Sequence, residues 1–359
     1  MEPDLRMVRA WGNGRDRRGT GPGTGARPIA PGRSWPAGPR RGRLFRGKIP
    51  VKLVALTLLG IGAGSCGQKF DLPPQPAAGR IPSPGRYNLD KVWNLSAPTD
   101  LVCQGSYLYV IEDSSRISAY LTRAQQAIHP QFVSEFTGLI RPVRLALARR
   151  DSTFILVADA GDSTVKRYLF TGGAPLFTFT DPRWHGAFTG LAADNALNVY
   201  LTFAGRDTIL KYDRLGQRAR PVANNAQRGG LINTPAGMHW YGSALLVADQ
   251  GTSLVLRVRG DTTNVAAGSA IGSPFLAQPA GAVSDAAAEF VYVADTGHNR
   301  ILKFLLTGAL VDSVYTPSQT ETHLPLPLQQ PRYLAVQDSL VFVSDPNNNR
   351  LVAFRLASQ

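Results

Sequence analysis

Two cysteines in 359 residues, Cys66 and Cys103, cannot make a disulfide scaffold, and neither stands at metal-ligand spacing from a histidine. The five histidines, His129, His185, His239, His298 and His323, are not paired at helical or hairpin metal-ligand spacing either. No G-x-S-x-G elbow, phosphate loop or H-E-x-x-H is present. The longest apolar run is about 13–14 residues, too short for a bilayer-spanning helix. Charged residues make up only 18 %, but the apolar set reaches 43 %, so most of the chain is globular rather than disordered. The net charge of +14 points to nucleic acid until it is located. Residues 1–50 hold eleven arginines and Lys48 against three acids, whereas from Cys66 onward 26 basic residues face 22 acidic ones. That body has an ordinary solvated surface, and no nucleic-acid partner is expected.

Residues 1–50 also carry ten Gly and seven Pro without apolar periodicity, the composition of a disordered extension or a mis-called upstream start. Directly after come Val51-Lys52 and the apolar stretch Leu53–Leu59, then small residues to Ser65, the order of a secretory signal over 51–65. Ala63-Gly64-Ser65-Cys66 resembles a bacterial lipobox, with Ala63 where Leu, Val or Ile is usual, and implies a lipid on Cys66. Pro73, Pro74, Pro76, Pro82 and Pro84 then mark residues 66–86 as an extended tether. These features predict a lipid anchor in the cell envelope, periplasmic or surface-facing, with plain secretion as the alternative.

The remainder repeats. Val110-Ile111-Glu112, Val157-Ala158-Asp159, Leu201-Thr202-Phe203, Val247-Ala248-Asp249, Val293-Ala294-Asp295 and Val343-Ser344-Asp345 align at spacings of 47, 44, 46, 46 and 50. Two positions past the third residue stand Gly161, Gly205, Gly251 and Gly297, with Asn347 in the last copy, residue types that tolerate a left-handed turn. A further strand, usually opened by proline, precedes each unit, and a β-rich stretch such as Leu176–Phe179 or Leu310–Tyr315 follows. Four strands per ~45 residues is the unit of a propeller blade, so an all-β, six-bladed propeller is expected over residues 87–359. The sixth copy lacks its fourth strand, and an unmatched strand at Leu89–Leu95 is available to complete it and close the ring.

Val291–Phe304, with Asp295, Gly297, His298, Asn299 and Arg300, resembles an NHL repeat almost residue for residue, and Val341–Leu351 is a second good match. The resemblance implies the propeller fold over about residues 87–356 but says little about function, because propellers host enzymes, receptors and scaffolds alike. Some NHL-like propellers are zinc-dependent lyases, and related lactonases hold calcium on their innermost strands. The matching positions here, Thr99/Asp100, Val143/Arg144, Thr189/Gly190, Ala236/Gly237, Ala280/Gly281 and Arg332/Tyr333, offer one carboxylate, so neither metal nor other cofactor is expected. The repeated Asp159, Asp249, Asp295 and Asp345 read as hairpin caps rather than a catalytic ring, with Arg300 and Arg350 as partners. Arg144, His239, Trp240, Arg332, Tyr333 and His298 are the candidate ligand-binding residues of the channel or loop face, with His298 in a surface turn. Gly190, Gly237 and Gly281 are expected to leave room on the axis. Connections 122–141, 214–234 and 314–330 are expected to shape the binding face. These observations point to a monomeric, non-catalytic binding or scaffold module with a protein, peptide or glycan ligand. The alternative is a secreted lyase- or lactonase-type propeller with a divergent channel site.

Overall fold

The computed structural model describes residues 87–123, 134–184, 187–217, 219–224, 232–259, 270–272, 274–315 and 326–356. The expected extension, signal, Cys66 and tether, together with His129, His185 and His323, lie outside the described residues. The chain begins with strand β1 (Tyr87–Asn94) and then lays down six antiparallel sheets in succession. Blade 1 holds β2 (Leu101–Gln104), β3 (Tyr107–Glu112) and β4 (Arg116–Leu121). Blade 2 holds β5 (Pro142–Arg149), β6 (Thr153–Asp159), β7 (Thr164–Leu169) and β8 (Gly172–Phe179). Blade 3 holds β9 (Phe188–Ala193), β10 (Val199–Phe203), β11 (Thr208–Tyr212) and β12 (Arg220–Asn224). Blade 4 holds β13 (Pro235–Tyr241), β14 (Ala244–Asp249), β15 (Leu254–Arg259) and β16 (Ala270–Ile271). Blade 5 holds β17 (Gly281–Ser284), β18 (Phe290–Asp295), β19 (Arg300–Leu305) and β20 (Leu310–Tyr315). Blade 6 holds β21 (Leu334–Gln337), β22 (Leu340–Asp345) and β23 (Arg350–Leu356).

The sixth blade is completed as the repeat count requires. Strand β1 pairs antiparallel with β23, from Tyr87 opposite Leu356 to Asn94 opposite Arg350. Each inner strand neighbours the next around the ring, from β2 through β5, β9, β13, β17 and β21 back to β2. The core is correspondingly divided into six clusters, one in each gap between adjacent blades. Tyr109, Ile111, Ile155 and Tyr168 fill the gap between blades 1 and 2, and Trp93, Leu108, Phe342 and Leu351 fill the closing gap between blades 6 and 1. This explains the unbroken apolar runs. Strands β10, β14 and β22 are buried along their whole length because each lies between two strand neighbours and two blade neighbours.

The repeated aspartates bind the start of each blade. Asp159 accepts hydrogen bonds from the Ile140, Arg141 and Gly161 amides at 2.8, 2.7 and 2.9 Å and from Lys166 Nζ at 2.7 Å. Asp249 takes the Asn233 amide and both donors of Thr252. Asp295 takes the Ala277 amide and Arg300 Nε (2.6 Å), and Asp345 takes the Gln329 amide and Arg350 Nε (2.7 Å), as expected for the two arginines. All four carboxylate residues are fully buried. In each case the hairpin between the second and third strands holds the segment that leads into the innermost strand.

The turn glycines work differently from expectation. Gly161, Gly251 and Gly297 do not take positive φ; the left-handed residues are Ser163, Ser253, Asn299 and Asn349, further along each turn. A Cβ on Gly297 would meet Ala277 O at 2.7 Å, and one on Gly251 would meet Asn233 O at 2.5 Å. The absent side chain therefore lets the turn press against the segment its aspartate holds. Only Gly205 of this set is left-handed, at φ 72°. Gly190, Gly237 and Gly281 let the inner strands approach closely: a Cβ on Gly237 would lie 2.5 Å from Ala280 O, and one on Gly281 2.5 Å from Arg332 O, while Gly237 and Gly281 also line a cavity on the axis. They permit neighbouring inner strands to touch.

Candidate functional site

The inner strands of all six blades surround one cavity of about 370 Å³ on the axis. Polar and apolar surface share its wall about equally; Leu147, Leu191, Met238, Val283 and Val336 are among the apolar lining residues, and Arg144 and Arg149 stand toward its two ends. The starts of the inner strands form the deep end. There Arg144 donates from Nε to Thr189 O (2.8 Å) and from Nη1 to Val143 O (2.6 Å), and its guanidinium lies 4.6 Å from the centre of the Tyr333 ring. Asp100 accepts the Leu101 amide at 2.8 Å and the Leu145 amide of the next blade at 2.9 Å. Burial pushes its carboxyl up to about 6, against the pull of Arg144 and the two amides. Burial likewise pushes up the Tyr333 hydroxyl and the Cys103 thiol on β2, so Cys103 is a poor nucleophile.

The ends of the inner strands and the short loops after them form the mouth, with Asn195, Gly242 and Asp285–Ala286 at its rim. His239 faces the cavity with no hydrogen-bond partner among the described residues, and desolvation assisted by Arg149 lowers its imidazole to about 4. It is neutral at pH 7. Trp240 stacks on Tyr200 of blade 3, ring centres 5.4 Å apart, and its buried indole Nε1 has no hydrogen-bond partner among the described residues. The expected channel set is thus divided. Arg144, His239, Trp240 and Tyr333 line one cavity, whereas Arg332 is exposed outside it because adjacent residues of an extended chain face opposite ways. His298 stays in its turn, with Nδ1 2.8 Å from Asp295 Oδ2.

Arg149, Asn195 and Asp285 are lining residues that spacing does not reveal. They sit at strand ends, and which strand end faces a cavity is a property of the closed ring. The long connections 122–141, 214–234 and 314–330 are described only in part, and they lead into the starts of the inner strands rather than to this mouth. Among the described residues no group of three or more His, Cys, Asp or Glu side chains is placed to hold a metal. The zinc and calcium sets of other propellers therefore do not fit the described residues.

No protein-family model matches the sequence, and no curated protein matches it. Solved structures do. A protein of unknown function from Bacteroides thetaiotaomicron shares 14 % identity over 78 % of this chain and 75 % of that one, with a TM-score of 0.56. A streptogramin B lyase shares 17 % identity over 76 % and 89 %, with a TM-score of 0.51. The virginiamycin B lyase of Staphylococcus aureus shares 11 % over 75 % and 99 %, also at 0.51. The chain is a six-bladed β-propeller. At these identities the likeness concerns the fold, and the chemistry has to be argued from the cavity.

Proposed function

We propose that this chain is a ligand-binding propeller of the bacterial cell envelope, of NHL type, tethered to a membrane through a lipid on Cys66. The observation that carries the binding role is the axial cavity. Six blades contribute to its wall, its volume suits a small molecule or the tip of a longer chain, and His239 inside it has an unused hydrogen-bonding edge. Arg144, Asp100 and Tyr333 stand at one end of the cavity, and Asn195, Gly242 and Asp285 stand at the other. The signal-like run, Cys66 and the Pro-rich stretch after it support the anchor.

A second reading, a lyase-type enzyme using the same channel, is favoured by a carboxyl near 6 and a neutral imidazole in one cavity. Against it, both Asp100 oxygens are committed to backbone amides, Oδ1 to Leu101 of its own blade and Oδ2 to Leu145 of blade 2. The test is intact mass on protein purified from native membranes, followed by denaturation and analysis of any released molecule. A species that begins at acylated Cys66 and releases a stoichiometric small molecule is expected. A species that retains residues 1–50, or that releases nothing, contradicts the anchor or the binding role respectively.

A further inference from the structure

The two polar layers of the channel differ in charge balance. At the deep end Arg144 and Asp100 face each other, and two carbonyls and the Tyr333 ring hold the guanidinium. At the mouth Arg149, the last residue of β5, donates from Nε (3.2 Å) and Nη2 (3.0 Å) to Gln104 Oε1. Its Nη1 is unused, and no carboxylate partners it among the described residues. His239 enters the same cavity from two blades away. Asp285, the acid among the lining residues at this end, accepts the Glu289 and Phe290 amides through Oδ1 at 2.9 and 3.0 Å. Between the layers, over roughly 17 Å (the rise from Arg144 to Arg149 along an extended strand), Leu147, Leu191, Met238, Val283 and Val336 supply the apolar half of the wall, and polar atoms supply the other half.

Building on the binding role above, we propose that the cavity takes an elongated amphiphile with a single carboxylate. Arg149 and His239 hold the head at the mouth, and the chain lies along the apolar residues of the wall toward Arg144 and Tyr333. A guanidinium already fixed by Gln104 loses little freedom on pairing with a carboxylate, so the charge-assisted bond is retained almost whole. The mouth is open to water, which spares the head full desolvation, while burial of the chain supplies the remaining affinity. A dianionic head suits the site less, because one guanidinium with one spare nitrogen and a neutral imidazole do not balance two charges. The charged and titratable groups that line the cavity with His239 are Arg149, Asp285, Tyr241 and Cys103, with Asp100, Arg144 and Tyr333 deeper.

The test uses the full chain with Cys66→Ser, so that no acyl chain of its own competes, and decanoate and decanamide as probes. Calorimetry is expected to show decanoate binding, with decanamide and the Arg149→Met variant each weaker by about tenfold, the loss of one charge-assisted hydrogen bond. Carbon-detected titration of the His239 ring, assigned with His239→Gln, is expected to show its midpoint rising when decanoate saturates the cavity. A carboxylate beside the ring favours the imidazolium, whereas a ligand bound elsewhere leaves the midpoint in place. Equal affinity for decanoate and decanamide, no effect of Arg149→Met, or no binding overturns the inference. If decanoate fails but the native protein releases another molecule, the binding role survives and the amphiphile does not. If both fail, both fall.

Discussion

Asp345 and His239 occupy opposite ends of the propeller, and their surroundings differ in kind. Asp345 is fully buried and answered by a backbone amide, Asn348 Nδ2 and Arg350. His239 lines a cavity beside an arginine and has no partner among the described residues. The same division holds more widely: the turn end carries Asp159, Asp249 and Asp295 with two or more bonds each, and the mouth carries Arg149 with a spare nitrogen. The buried charges of the turn end are answered within the fold, whereas at the mouth His239 and Nη1 of Arg149 have no partner among the described residues.

The comparison breaks most severely if the ring is opened. Deleting residues 87–94 removes the strand paired along β23, together with Trp93 from the closing cluster and Tyr87 from the cluster between blades 5 and 6, and cooperative thermal unfolding is expected to disappear. Next in size are Gly237→Ala and Gly281→Ala, whose Cβ atoms would each lie 2.5 Å from a neighbouring carbonyl oxygen; a loss of about 1–3 kcal/mol in denaturant unfolding is expected for each. Gly205→Ala, with open space around it but φ at 72°, is expected to cost only about 1 kcal/mol.

A subtler difference appears with pH. Asp100 has a folded value of about 6 against an ordinary 3.8, so the folded state binds its proton first and this group adds stability as pH falls from about 6 toward 4. His239 has a folded value of about 4 against 6.5, so it removes stability over nearly the same window. The two oppose each other. Melting temperature between pH 6.5 and 4 is therefore expected to fall more steeply in Asp100→Asn and less steeply in His239→Gln than in the parent. The smallest effect is expected of Arg149→Met at pH 7, within about 0.5 kcal/mol of the parent.

The fold is legible in the sequence because one blade recurs six times and the unmatched strand at Tyr87–Asn94 has one place to go. The aspartate–arginine pairs are legible for the same reason: Asp295/Arg300 and Asp345/Arg350 recur at fixed offset. The glycines mislead because an αL turn and a close backbone approach both demand a missing Cβ, and only three-dimensional neighbours such as Ala277 tell them apart. Half of the cavity is visible as inner-strand positions, including Arg144, His239 and Tyr333. Arg149 and Asp285 are invisible because no spacing relates the end of β5 to the loop after β17; closure of the ring brings them to one rim.

The most direct test of the division between the two ends is denaturant unfolding of Asp345→Ala beside His239→Gln at pH 7. Removing Asp345 strands a buried arginine and is expected to cost about 3–5 kcal/mol, whereas replacing His239 is expected to change stability by no more than about 0.5 kcal/mol. Comparable losses from the two would contradict the account, because the mouth of the channel would then be as much a part of the framework as the turns.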